Sequence, residues 1–411
     1  MKLKEVVRNQ FAGVWIVCIV ALGVCGIARP ADWPNYRGPN YDGISRETGW
    51  LTTWPAEGPK ILWKAPIGTG FATTAVSGGR VYAMGNINDN DILYCFDAET
   101  GKEIWKQSYP CPIFAKDHEG GPGATPTVVG DSVYTFSKNG DAICFKAATG
   151  QVVWHKNLNK ELGIALPTWY FASSAFVADG LLILNAGDGG IALKPSDGSV
   201  VWQNGKGQAG YATAVPFTAG GKKCVVIFGA KEIMGVEVAT GKILWRHPWK
   251  TSYDVNAADP LVVGDAVFVS SGYNKGCARL TIGPDIIGVT EVWNNKKMRN
   301  HFSSSLLWEG YVYGFDEDTL RCLDFKTGQE KWAKDGLGKG SLTLADGTLI
   351  ILSERGKLVT AKASPQKFEE VSSAQILSGK CWTVPVLANG RIYARNNSPG
   401  LLVCVDVRKK G

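Results

Sequence analysis

Four polar clusters in the 411-residue chain have residue types that bind ions or move protons. His118 and Glu119 adjoin on a long polar stretch, Asp254 and Asn256 fall in YDVNAAD, His301 in RNHFSSS, and Glu354 and Arg355 in SERGK. A carboxylate beside an asparagine offers the hard oxygen ligands that calcium takes, and a histidine near a carboxylate can carry a proton. The same residues have ordinary uses: Asp and Asn close turns through their own backbone bonds, and an isolated histidine packs or is solvated. Stronger chemical signatures are missing. The chain has no CxxC or Cys/His metal spacing, no GxSxG nucleophile elbow, and no recognisable pair of catalytic carboxylates.

The elements that must position these residues are written as a repeat. AETGKEIW (Ala98 to Trp105) returns as AATGQVVW, VATGKILW and FKTGQEKW. Trp63, Trp105, Trp154, Trp202, Trp245, Trp293 and Trp332 recur at intervals of roughly 40–50 residues, the length of one four-stranded propeller blade. Gly101, Gly150, Gly198, Gly241 and Gly328 each precede their tryptophan by the same offset. A Thr-Gly pair, present at four of these five, predicts a tight hairpin with glycine at positive φ, followed by a short strand ending in an indole that can fill the gap between sheets. The fifth copy, VTEVW, lacks the glycine, and KFEEVSSAQIL in the seventh lacks the tryptophan.

After Leu377 the chain supplies only three more strands, WTVPVLA, RIYARN and LLVCVDV, whereas ILWKAPI (Ile61 to Ile67) carries a repeat tryptophan with no blade of its own. The front strand is therefore expected to complete the last blade. The fold class is all-β: an eight-bladed propeller of four-stranded antiparallel blades over residues 61–411, closed by an N-terminal strand. Links between blades share one face with the turns between second and third strands, and the long segments Gln107 to Gly123 and His155 to Phe171 fall there. Residues just before each innermost strand should ring the channel mouth on that face. They include Trp169, Tyr170, Tyr211, Asn256, Asn300, His301 and Trp382, a mix of aromatics and small polar groups that suits a flat, polar-edged ligand or a solvated mouth.

Residues 1–31 are basic and then apolar, with an uncharged run over 11–28, and read as an export signal or an N-terminal anchor in the inner membrane. Residues 32–60 form a Pro-, Gly- and Trp-rich lead-in. The net charge of +7 includes three units from the first 31 residues (Lys2, Lys4, Arg8 and Arg29 against Glu5), which leaves too little for a nucleic-acid partner. Cys95, Cys144, Cys322 and Cys404 occupy equivalent strand positions in different repeats and are expected as small buried hydrophobes.

The A-x-x-x-T-G-x-x-x-W run repeated around a ring resembles the pyrroloquinoline-quinone-type (PQQ-like) propeller repeat of the quinoprotein alcohol dehydrogenase-like superfamily, over about residues 61–411. DWPNYRGPNYDGIS (Asp32 to Ser45) is similar to the N-terminal entry of its exported bacterial members. The resemblance implies two functions. One is an exported, non-catalytic, monomeric scaffold, periplasmic or secreted, that uses its long-loop face to bind a protein or polymer, needs neither cofactor nor metal, and touches membrane only through its N-terminal segment. The other is a PQQ- and calcium-dependent alcohol or polyol dehydrogenase, with Asp254 as base, Glu119 and Asn256 on calcium, and Trp169 or Trp382 stacked on the quinone. The sequence lacks the adjacent cysteines of the catalytic members and has few residues left for walls around a cofactor, so the first reading is preferred.

Overall fold

The computed structural model describes residues 31–409, so the expected export segment lies outside the described residues apart from its last position. The described chain is a ring of eight sheets. The first blade shows the plan: Ala75–Ser77 innermost, then Arg80–Ile87, Asn90–Asp97 and Glu103–Pro110, each antiparallel to its neighbour. Ile61–Pro66 pairs antiparallel with Leu401–Asp406 as the outermost strand of the eighth blade, which closes the ring as the repeat requires.

Why the octapeptide recurs is visible at every junction that keeps it. Gly101, Gly150, Gly198, Gly241 and Gly328 sit at φ between 70° and 74°. A Cβ on any of them would come within 2.5–2.7 Å of the indole of the preceding blade: Trp63, Trp105, Trp154, Trp202 and Trp293 respectively. The turn thus needs glycine twice, for its left-handed backbone and for the ring pressed on it. Each indole also donates its Nε1–H to a carbonyl of the next blade: Trp63 to Ala98 (3.1 Å), Trp105 to Ala147 (3.0 Å), Trp154 to Pro195 (2.7 Å), Trp202 to Val238 (2.8 Å) and Trp293 to Phe325 (3.2 Å). The exception is at the fifth blade, which has no Thr-Gly turn: Nε1 of Trp245 in the fourth is buried without an acceptor, whereas Trp332 finds the Ser364 carbonyl (2.8 Å) in the seventh blade, which lacks the turn as well. Cys95, Cys144, Cys322 and Cys404 lie opposite Trp105, Trp154, Trp332 and Trp63 on the neighbouring strand. They are small, buried, free residues beneath the indoles.

Closure of the ring has a second stitch. Arg395 of the eighth blade is 1% exposed and donates to the carbonyls of Met84 (2.5 Å), Gly68 (2.7 Å) and Asn396 (3.1 Å). A guanidinium surrounded by carbonyl oxygens keeps its hydrogen bonds without a carboxylate, although burial lowers its pKa to about 9.

The lead-in has structural work that composition alone did not reveal. Asp32 accepts from Ser77 Oγ and the Gly78 amide on the Thr-Gly-turn face. The chain then crosses the channel: Trp33, 1% exposed, bridges Val76, Pro34 accepts from the Val128 amide, and Arg37 donates to the Ser305 carbonyl at 2.9 Å. Tyr41 packs edge-on against Phe176, and Ile44–Ser45 adds a parallel fifth strand to the innermost strand of the seventh blade. Further on, Trp50 and Trp54 pack into the core between the seventh and eighth blades, the junction whose own repeat lacks a tryptophan.

Trp63 supplies the eighth blade with its indole from the opposite end of the chain. Replacing it by alanine should cost about 3–5 kcal/mol, the usual range for a buried large aromatic. Urea unfolding measures this, and a midpoint equal to wild type would mean that the front strand does not hold the ring closed.

Candidate functional site

The residue two positions before each of the first six innermost strands is Thr73, Thr125, Ser174, Thr213, Asp259 and Ser304. Their side chains link blade to blade. The Thr73 amide donates to Thr125 Oγ1 (3.2 Å), Thr125 to Ser174 Oγ (2.9 Å), Ser174 to Thr213 Oγ1 (3.1 Å), Thr213 to Asp259 Oδ1 (2.8 Å) and Asp259 to Ser304 Oγ (2.9 Å). This polar girdle satisfies strand ends that would otherwise be unpaired in the channel wall. Aspartate stands in it once, at 5% exposure.

Above the girdle lies a cavity of about 320 Å³. The long loops wall it, contributing Phe114, Asp117 and His118 from one and Trp169 and Tyr170 from the next. Tyr36 of the lead-in and Asp259 also line it, so the channel is closed on the Thr-Gly-turn side by the chain's own front segment. Rings in edge or tilted contact run around the mouth. Tyr273 meets His301 at 4.8 Å, His301 meets Phe302 at 5.0 Å, and Phe302 covers Trp382 at 4.3 Å. Phe71 meets His118 at 5.2 Å, His118 meets Trp169 at 5.7 Å, and Phe114 meets Tyr170 at 4.7 Å.

Electrostatics divide the cavity into a buried floor and a paired rim. Burial pushes the Asp259 carboxyl up to about 7, against the lowering influence of Arg37 and the Thr213 amide, and burial raises Tyr36 to about 12. On the rim, His301 Nδ1 lies 3.0 Å from Lys339 Nζ and 3.4 Å from Glu317. Burial and then the lysine charge lower that histidine to about 4, which keeps it neutral at physiological pH. His118 is likewise lowered by burial, and its Nδ1 accepts from the Gly120 amide.

Of the residues singled out from sequence, His118, Trp169, Tyr170, Tyr211, His301 and Trp382 line the cavity. The others do not. Asn256 is fully buried, donates to the carbonyls of Gly229, Ala230 and Trp249, and accepts from Ser271 Oγ, so its amide is spent on the scaffold. Asn300 likewise ties Phe315 to Ser305. Asp254 sits in a short 3-10 turn with Lys231 at 3.8 Å, Glu119 pairs with Lys380 at 2.8 Å, and Glu354 accepts from Trp382 Nε1 at 3.0 Å; Arg355 lies beside it outside the lining. Sequence reasoning missed Tyr36, Lys138, Asp259 and Phe302. Asp259 carried a readable signal, being the one acid at a position that is Ser or Thr in the five other repeats compared.

This arrangement does not fit calcium and a stacked quinone as expected for the dehydrogenase reading. Asn256 is fully buried with its Oδ1 already accepting from Ser271 Oγ, and no cluster of three or more His, Cys, Asp or Glu suited to a metal occurs among the described residues. One face of Trp382 is taken by Phe302, and Lys380 Nζ lies 4.3 Å from the same ring centroid.

Two predictions follow from the cavity. First, Asp259 binds a proton in the folded state up to about pH 7 but releases it near 3.8 when unfolded, so its contribution to stability is lost as pH rises through that window. Asp259→Asn, which keeps the acceptor for Thr213, should therefore gain stability relative to wild type by up to about 4 kcal/mol between pH 4 and 8. A constant difference across that range, measured by urea unfolding, would contradict the buried-acid assignment. Second, incubation with PQQ and calcium should leave the melting temperature unchanged. A rise of the size mass action gives, about 2.7 kcal/mol at a hundred times Kd, would restore the cofactor reading.

Comparison with known proteins identifies the family and the fold. The family described as Outer membrane protein assembly factor BamB matches residues 45–121 and 88–334. A curated relative from Burkholderia pseudomallei (strain K96243), named Outer membrane protein assembly factor BamB, is 25% identical over 313 residues, covering 72% of this chain and 74% of its own. Among solved structures, BamB from Moraxella catarrhalis superposes with a TM-score of 0.61 at 14% identity, covering 85% of this chain and 100% of its own. The quinohemoprotein alcohol dehydrogenase from Comamonas testosteroni gives 0.68 at 13% identity, covering 93% and 81%. Both structural likenesses concern the fold alone. The family match spans most of the propeller, and the chain belongs to the PQQ-like propeller family described as outer membrane protein assembly factor BamB.

Proposed function

We propose that this protein is an exported, non-catalytic scaffold of the cell envelope that docks a protein partner through its long-loop face. The observation that carries the reading is where the chain spends residues beyond the needs of a ring. The two long inter-blade loops meet on one face, Phe114 against Tyr170, and wall a recess closed beneath by Tyr36. Rigid propellers commonly present binding loops in this way. Two supports are independent of that face: the chain belongs to a family described by an outer membrane assembly factor, and its N-terminus has the basic-then-apolar order of an export segment.

The partner belongs, on this reading, to the machinery that assembles outer-membrane proteins. The protein acts on the periplasmic side, with residues 11–28 as a cleaved signal or an inner-membrane anchor. Catalysis has no part in it. A scaffold requires only that the loop face be rigid and specific, and the paired rim of Lys339 with Glu317 and Lys380 with Glu119 provides fixed charges around an aromatic mouth.

Affinity purification from the native envelope tests the proposal. The intact protein should retain a defined partner, and a Phe114→Ala, Tyr170→Ala double variant of unchanged melting temperature should retain at least ten-fold less. Equal recovery by the two proteins would move the docking surface elsewhere.

A further inference from the structure

The girdle needs an acceptor at position 259 but not a charge. Thr125, Ser174 and Thr213 each meet the amide of the preceding repeat with a hydroxyl, and Asp259 meets it with Oδ1, 2.8 Å from the Thr213 nitrogen. Its second oxygen has no hydrogen-bond donor among the described residues. Arg37 acts on the carboxylate only through its charge, because its guanidinium is spent on the carbonyls of Tyr41, Asp42 and Ser305. Asp259 is 5% exposed and lines the cavity, and Oδ2 is not sealed from it. A carboxylate so buried, with one oxygen unanswered, destabilises the fold, and an acid kept where a hydroxyl would serve points to a ligand that donates.

The sector of wall that holds Asp259 is aromatic. Hydrogen bonds tie Asp259 to Thr213 ahead of the fourth blade and to Ser304 ahead of the sixth. Tyr211 and Phe302 stand two residues before those anchors, in the repeats on either side, and Tyr273 of the fifth blade packs on His301 at 4.8 Å. Tyr36 lies near enough for the Asp259 charge to add to burial in raising its hydroxyl pKa. All four rings line the one cavity, which at about 320 Å³ is at the small end of ligand sites. Ring faces are electron-rich, so aromatic walls around a single carboxylate favour a cation. The collar already draws the chain's own ammonium groups: Lys339 lies 6.0 Å from the Phe302 centroid and Lys380 4.3 Å from that of Trp382. Glu317 at 3.1 Å and Glu119 at 2.8 Å match those two charges. We infer that the cavity binds a primary ammonium group, its N–H donating to Asp259 Oδ2 and its carbon stem lying among Tyr36, Tyr211, Tyr273 and Phe302. This goes beyond the docking function and does not depend on it: the group belongs either to a free organic amine or to a lysine of a docked polypeptide.

Isothermal titration calorimetry with the full exported chain tests the assignment, using 2-phenylethylamine and its neutral isostere 2-phenylethanol. At pH 8 the amine should bind saturably and the alcohol at least ten-fold more weakly. Asp259→Asn, expected above to be the more stable protein, should lose at least ten-fold in amine affinity and leave the alcohol unchanged. Amine affinity should also fall about ten-fold from pH 8 to pH 6 as Asp259 takes up its proton, and stay level in Asp259→Asn. The groups facing Asp259 do not change charge in that range: an arginine stays a cation, Tyr36 at about 12 stays neutral, and Thr213 and Ser304 do not titrate. On the rim, burial biases His118 and His301 toward their neutral forms. A flexible hexapeptide with one lysine, set against its norleucine counterpart, separates the two sources: preference for lysine assigns the site to a docked chain, and amine binding without that preference assigns it to a free amine. Equal binding of amine and alcohol, binding of neither the amine nor the lysine peptide, or wild-type amine affinity in Asp259→Asn overturns the inference. Retention of the envelope partner without ammonium binding would sink this inference and leave the docking function standing.

Discussion

An indole pressed on a glycine turn is the contact from which the rest of this structure follows. One blade cannot bury both faces of its sheet, and sheet-on-sheet packing alone does not fix the angle or register between neighbours. Here each retained copy adds a directional element: the Thr-Gly turn of one blade receives the tryptophan of the blade before it, and the Nε1–H is satisfied by a carbonyl just before that turn. Burial of a ring this size, joined to a hydrogen bond, makes the junction both strong and specific in geometry. The recess at the channel mouth keeps its shape because eight junctions hold the blades at fixed angles.

Where the repeat decays, the front of the chain substitutes for it. The eighth blade takes its outer strand and its indole from Ile61–Pro66, and the tryptophan-poor seventh junction is filled by Trp50 and Trp54. The lead-in ahead of that strand crosses the channel and sets Tyr36 beneath the cavity, so the front of the chain serves both the closure of the ring and the floor of the site. Residues 32–60 are thus part of the propeller's core, and the Pro, Gly and Trp that mark them serve turns and plugs.

The ring was legible in the sequence because its cause is local. A Thr-Gly turn at a fixed distance from a tryptophan states the blade, and a surplus front strand with a short final blade states the closure. The site was legible only in part. Trp169, Tyr211, His301 and Trp382 could be placed because they precede innermost strands, whereas Asn256 and Asn300 at similar positions turn inward to bind carbonyls. Which way a polar side chain faces at a strand end depends on the neighbouring blade, and no spacing rule contains that. Tyr36 was invisible for a related reason, since it reaches the cavity from a segment with no repeat signature. Asp259 was the exception, an acid breaking a run of hydroxyls.

On the proposed function, partner docking falls to the loop face of a ring whose other face is sealed by its own N-terminal segment. Hydrogen exchange of the protein, alone and with the partner recovered from the envelope, tests this most directly. Slowed exchange on partner binding should concentrate in residues 111–123 and 163–175, the loops around the cavity. Protection confined to the turns around Gly101, Gly150, Gly198 and Gly241 would contradict it, because the partner would then be seated on the sealed face.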